Sequence, residues 1–202
     1  MAYSVITIAR TLGAGGEDIG RSLAAEYGMR YVDGEIIERA AQLAGVTPGE
    51  VGRAEARKGL MERIFENIAR SGGAFGEYVP DPSLLAAPGY EELIVDVIRE
   101  TAEAGNAVIV AHGAAIPLAR MNGVLRVLVT ASPQTRAARL NAEAHGELRA
   151  KKMVEESDAA RADFFRRFYG VQAENATHYD LVINTNHLSG ADAAAVIRSL
   201  QT

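Results

Sequence analysis

The chain has 202 residues, enough for one domain with a full core, and 48% of them are apolar. Its net charge of −5 argues against a long nucleic-acid partner, because such partners select a basic surface. A small anionic ligand stays open, since it needs only a local cluster of donors. There is no cysteine, which excludes disulfides, thiolate metal sites and thiol catalysis.

Met1-Ala2-Tyr3-Ser4-Val5 has neither a basic region nor a long apolar run, and no apolar stretch approaches about 20 residues. The expectation is a cytoplasmic protein with no leader peptide and no membrane partner. Val5-Ile6-Thr7-Ile8 is β-branched and runs into glycines, which predicts a buried strand. From Asp18 the period lengthens: Ile19, Leu23 and Tyr27 recur every four residues, a helix that Gly28 stops. Arg30-Tyr31-Val32-Asp33 is a candidate second strand. Ile36, Ala40, Leu43 and Ala44 mark a helix ending near Gly45, and Thr47-Pro48-Gly49-Glu50 carries the start signals of another. Leu60, Ile64 and Ile68 continue a helical face. Gly, Pro and Ala crowd residues 72–89, which read as an irregular excursion rather than a domain boundary. Leu93, Ile94, Val97, Ile98 and Ala102 form an amphipathic helix that Gly105-Asn106 ends. Ala107–Val110, Leu125–Val129 and Asp180–Ile183 are further strands. Ser132-Pro133 opens a helix, and a last helix covers 191–200. Strands alternating with helices call for a parallel sheet of four or five strands, covered on both faces. The predicted fold class is therefore α/β, a three-layer single domain over 1–202.

Arg10-Thr11-Leu12-Gly13-Ala14-Gly15-Gly16-Glu17-Asp18 joins the first strand to the first helix, where an α/β sheet offers its ligand crevice. Glycines let backbone approach a ligand closely, and the helix start supplies unpaired N–H groups and a partial positive charge. Together these suit a phosphate, with Gly13, Ala14, Gly15, Gly16, Glu17 and Asp18 as its cradle. A tight turn without a ligand is the plain alternative. The turn is atypical. Gly16 stands where a Walker loop has its lysine, and Glu17 where that loop has Ser or Thr. Asp18 also breaks the G-x-G-x-x-G spacing of dinucleotide folds.

Arg10 either grips phosphate in place of the missing lysine or is a solvated strand-end arginine. Asp33 either positions an acceptor hydroxyl or a magnesium water, or caps the helix beginning near Glu35. Arg136 and Arg139 share one helix face, directed at ligand or at solvent. Asp158 and Arg161, three apart and followed by Phe164, Phe165 and Phe168, belong to a lid over phosphates or to a plain helix salt bridge beside core aromatics. The four histidines show no metal-ligand spacing, so no metal cluster of side chains is expected. Among them only His112, just past a buried strand, lies at the crevice edge; a core or turn histidine is the other reading.

These segments resemble the cytidylate kinase-like family, a divergent branch of nucleoside monophosphate kinases. The likeness runs from Ile6-Thr7-Ile8-Ala9-Arg10 with Gly13-Ala14-Gly15-Gly16 and Ile19-Gly20, through Tyr31-Val32-Asp33 and Gly105 to Val110, to Arg136-Ala137-Ala138-Arg139 and Asp158-Ala159-Ala160-Arg161. It closes with Tyr179-Asp180-Leu181-Val182-Ile183-Asn184-Thr185. The resemblance implies a nucleoside monophosphate kinase-like P-loop domain with a five-stranded parallel sheet. It adds a variable insertion at about 47–89 and a helical lid at about 141–170. It implies phosphoryl transfer from ATP with Mg²⁺ to CMP, dCMP or a similar small acceptor. Gly13 to Glu17 would then cradle the donor, with Asp33, Arg39 and His112 on the acceptor side. Arg10, Arg136, Arg139, Asp158 and Arg161 would form the catalytic and lid set. One departure is plain: the family often has Gly-Arg after the third main strand, and this chain has Ala111-His112-Gly113.

The leading expectation is thus an ATP- and Mg²⁺-dependent nucleotide kinase. The alternatives are a catalytically silent nucleotide sensor and an interaction protein that forms a homodimer through the stretch 47–89.

Overall fold

The computed structural model describes residues 2–33, 36, 39, 90–110, 113–142 and 146–201. The expected helices between Ala40 and Ile68, the excursion 72–89, and His112 and His145 lie outside the described residues.

Five strands form one parallel sheet: β1 (Val5–Arg10), β2 (Arg30–Val32), β3 (Ala107–Val110), β4 (Val124–Thr130) and β5 (Leu181–Asn184). Their spatial order is β2-β3-β1-β4-β5. β1 is central, in register with β3 (Val5 beside Ala107) and with β4 (Arg10 beside Val129). Every residue of β1 is buried, which is why its apolar run shows no alternation. β5 is an edge strand and alternates.

Alternate side chains feed two cores. Ile6, Ile8, Val108, Val110, Val127 and Ile183 face α1 (Gly16–Tyr27) and the C-terminal helix, Gly190–Ser199. Val5, Ala107 and Ile109 face α2 (Tyr90–Glu103) and the aromatic end of a 23-residue helix, Glu147–Tyr169. The short helix Pro133–Leu140 precedes that long one. In chain order these last three are α3 (Pro133–Leu140), α4 (Glu147–Tyr169) and α5 (Gly190–Ser199). Helices on both faces of a parallel sheet make the three-layer α/β architecture that the strand–helix alternation predicts.

Local chemistry sets the helix starts. Ser132 caps α3, its hydroxyl accepting from the Thr135 N–H at 3.3 Å, with Pro133 in the first turn. Ser189 and Asp192 form a reciprocal capping box on α5. α1 begins at Gly16, two residues earlier than its apolar period predicts. It also sits unusually close to the sheet: a Cβ on Gly20 would meet Val110 Cγ2 at 2.6 Å. That contact brings the N-terminus of α1 down onto the carboxyl ends of β1 and β3. No helix among the described residues is long and apolar enough to cross a membrane.

Candidate phosphate-binding site

β1 ends at Arg10 and α1 begins at Gly16, so the glycine turn sits at the carboxyl edge of the sheet. In this strand order the connection after β1 leads to one side and that after β3 to the other, which makes the β1–β3 edge the crevice of an open α/β sheet. The Ala14 N–H donates to Thr11 O at 3.0 Å and closes the turn. Gly15 has φ +83° with open space around it, so its requirement is conformational. Its neighbour Gly16 is needed for space. A Cβ there would stand 2.6 Å from Arg10 Cβ, 3.2 Å from Cγ and 3.4 Å from Cδ. The stem of Arg10 therefore passes directly over Gly16.

That contact explains the missing lysine. In the spacing G-x-x-x-x-G-K-[ST], the first glycine falls on Arg10 and the lysine on Gly16. The two residue types have exchanged places: the bare position is now on the helix and the cation on the strand. The signal was present in the spacing, but only the packing shows that one change requires the other.

Arg10 is buried, at 2% exposure. Its Nε donates to Glu17 Oε1 at 2.6 Å, and its Nη2 is buried with no hydrogen-bond partner among the described residues. The reading of a solvated strand-end arginine is thereby overturned. Asp33, just past β2, is also buried. Burial pushes its carboxyl above the usual range; Arg10 opposes the rise and Glu17 adds to it. The Tyr31 hydroxyl donates to Asp33 Oδ2 at 3.4 Å. Burial first, then the Asp33 charge, pushes Tyr31 up to about 12. Arg21 lies 5.2 Å from the centre of the Tyr31 ring. Arg10, Glu17 and Asp33 thus form one alternating charge cluster at the mouth of the turn.

The remaining candidates are placed differently. Arg136 is 3% exposed and pairs in bidentate fashion with Asp158, at 2.9 and 2.6 Å, while also donating to Ala131 O and Leu12 O. Arg139 donates to Gly13 O and to the hydroxyl and carbonyl of Thr185. Arg161 pairs with Glu174 at 2.7 and 2.6 Å, and Tyr179 donates to the same carboxylate. Asp158 and Arg161 share a helix but not a salt bridge. Each has a partner on another element, and bidentate tertiary pairs outweigh a same-helix pair worth a few tenths of a kcal/mol. Asp18 is exposed and lies 3.5 Å from Arg21. Arg39 is exposed and pairs with Glu100 of α2 at 2.7 Å. His112 lies outside the described residues. The helix read as a lid packs along its length: Ala150, Met153 and Val154 against Leu12, Ala137 and Leu140, and Phe164, Phe165 and Phe168 in the sheet core. Thr185, in the sequence only the end of the last motif, also meets the turn, its hydroxyl donating to Ala14 O.

The architecture is that of the nucleoside monophosphate kinase-like α/β proteins. Solved structures with the same fold include an uncharacterized protein from Eubacterium ventriosum (TM-score 0.68, 16% identity, 98% of each chain). A shikimate kinase from Bacteroides thetaiotaomicron also has it (TM-score 0.52, 14% identity, covering 98% of this chain and 97% of that one). So does a shikimate kinase from Acinetobacter baumannii in complex with shikimate (TM-score 0.52, 15% identity, 98% and 92%). The chain belongs to the cytidylate kinase-like family, whose profile matches residues 5–187. It is similar to a cytidylate kinase of Methanocorpusculum labreanum, with 26% identity over 194 residues, 95% of this chain and 93% of that protein. Family membership points to phosphoryl transfer to a nucleotide or another small substrate.

Proposed function

We propose that the protein is an ATP- and Mg²⁺-dependent kinase acting on a nucleoside monophosphate of the CMP or dCMP type, and that Arg10 replaces the loop lysine. The observation that carries this is the buried Arg10, its stem over Gly16 and its Nη2 without a partner among the described residues, beside a turn whose Gly13 and Gly15 N–H groups have no acceptor among those residues either. A buried orphan donor costs about 1–3 kcal/mol, and a phosphate oxygen would satisfy it.

On this reading Gly13, Ala14, Gly15, Gly16, Glu17 and Asp18 supply the cradle and Arg10 its charge. The described residues hold no group of three His, Asp or Glu side chains near one another. A magnesium ion would be held by phosphate oxygens, with Asp33 or Glu17 reaching it directly or through water. When bound, it would neutralise charge on the transferring phosphoryl group. The bond from that phosphorus to the ADP oxygen breaks as a bond to the acceptor's phosphate oxygen forms. Asp33, held by Tyr31 and facing Arg10, orients the acceptor side. Arg136 and Arg139 serve the turn through its carbonyls. Asp158 and Arg161 anchor α4 beside it.

The test incubates the protein with Mg-ATP and a panel of nucleoside monophosphates, measuring ADP formation beside binding heat. CMP- or dCMP-dependent ADP formation is expected. Binding without turnover would refute phosphoryl transfer and leave a nucleotide sensor. Arg10→Ala should weaken ATP binding by roughly tenfold to a hundredfold, the loss of about 1.5–3 kcal/mol of charge-assisted bonding. Arg126→Ala should not, because Arg126 pairs with Asp180 away from the turn. Equal affinities for the two variants would remove Arg10 from the site.

A further inference from the structure

Three consecutive carbonyls of the glycine turn are held from outside it. Arg136 Nη1 donates to Leu12 O at 3.4 Å, Arg139 Nη1 to Gly13 O at 3.1 Å, and Thr185 Oγ1 to Ala14 O at 3.0 Å. The donors come from α3 and from the residue just after β5. In a trans peptide the carbonyl and the next residue's N–H point in opposite directions. Drawing these carbonyls towards α3 and β5 turns the N–H groups of Gly13, Ala14 and Gly15 the other way. Thr11 O takes that of Ala14. Those of Gly13 and Gly15 have no acceptor among the described residues, and with the first-turn N–H groups of α1 they line one side of the turn.

We infer that Thr185 is a positioning residue for the phosphate turn, acting as the middle of a relay from Arg139 through the Thr185 hydroxyl to Ala14 O. The inference rests on the phosphate-binding reading above. A hydroxyl has one proton to give. Arg139 Nη1 donates to Thr185 Oγ1 at 3.0 Å, so the hydroxyl's own proton goes forward to Ala14 O at 3.0 Å; Thr130 O, at 3.3 Å, is the longer alternative. Thr185 is 2% exposed, and its N–H donates to Thr130 O at 2.8 Å. Its backbone is thus part of the sheet edge, and the hydroxyl is a fixed point, not a mobile side chain. The relay ties the outer strand of the sheet to a turn 171 residues away in sequence. It presets the N–H groups towards the ligand before any ligand arrives, which spares binding the cost of ordering a glycine-rich segment.

Thr185→Val and Thr185→Ser on the full chain separate the hydroxyl from the shape. The readouts are the hydrogen exchange of the Ala14 amide in the ligand-free protein, by NMR, and the affinity for ATP, by calorimetry. Thr185→Val should speed Ala14 exchange and weaken ATP binding, each roughly tenfold, because Ala14 O and Arg139 both lose a buried partner. Thr185→Ser should restore both to within about threefold of the parent. Should Thr185→Val fail to fold, Arg139→Lys tests the same relay. Its ammonium is a single point in place of a planar fork and cannot occupy both positions from which Nη1 and Nη2 meet Gly13 O and the two oxygens of Thr185, so the same loss of ATP affinity is expected. Unchanged exchange and affinity in Thr185→Val would overturn the inference. A parent protein that binds no ATP, with Ala14 exchange still accelerated in Thr185→Val, would refute the phosphate reading and leave the relay standing as the brace of the turn.

Discussion

Restoring the lysine that the turn lacks should damage the protein. Gly16→Lys recreates the final G-K of the Walker spacing, yet its Cβ would stand 2.6 Å from Arg10 Cβ. Carbon atoms in contact sit about 3.5–4.0 Å apart, so something must move by roughly 1 Å. Arg10 cannot easily yield, because β1 is held at that position against Val129 of β4. Nor can α1 lift away simply, since Gly20 is seated on Val110. Overpacking of this kind costs about 1–3 kcal/mol, and a second cation beside Arg10 adds repulsion. The expected outcome is a lower urea midpoint, with ATP affinity weakened roughly tenfold or more. Gly16→Ala should show the steric part alone. Arg10→Gly combined with Gly16→Lys restores the glycine–lysine order and should bind ATP more tightly than either single variant. Calorimetry and urea denaturation on the parent, the three single variants and the double variant decide it. A Gly16→Lys variant that keeps the parent's urea midpoint and binds ATP more tightly would refute the reciprocal packing.

Asp33 should make the protein less stable as pH rises from the ordinary carboxylate range through its raised value. Across that window the native state holds a proton that the unfolded chain has released, so stability is highest on the acid side. Asp33→Asn should therefore flatten that part of the melting-temperature profile and raise the melting temperature at pH 7; a profile identical to the parent's would show that burial does not perturb this carboxyl. Asp158→Ala leaves the guanidinium of Arg136 buried without its bidentate partner, at a cost of about 1–3 kcal/mol, the lower part of that range applying because Asp158 is 40% exposed. In a double-mutant cycle with Arg136→Met the two losses should overlap by about 1 kcal/mol or more, and strict additivity in urea denaturation would show that the pair is uncoupled.

Much of this was legible in the amino-acid order. Short β-branched runs bounded by glycines favour buried strands, and four-residue apolar repeats bury one face of a helix, so the alternation and the α/β class follow from local chemistry. The glycine turn was legible for the same reason, because Gly15 needs a backbone conformation that other residues resist. Sequence spacing also put Arg136 and Arg139 on one helix face, and they share it. It could not say what that face meets, which is Asp158, Thr185 and the turn's carbonyls. Nor could it pair Asp158 and Arg161 with partners on other elements.

Those choices depend on the strand order, which brings the ends of β1, β4 and β5 side by side. Thr185 reaches Ala14 because β5 lies beside β4 and β4 beside β1. Arg10 covers Gly16 because α1 is drawn down onto the sheet through Gly20. By itself the sequence determined an α/β protein with a glycine turn suited to phosphate and short of its lysine. Only the tertiary structure decided that Arg10 is buried with its stem over Gly16 and which donors hold the turn's carbonyls, because both rest on contacts between separate elements that no local pattern links.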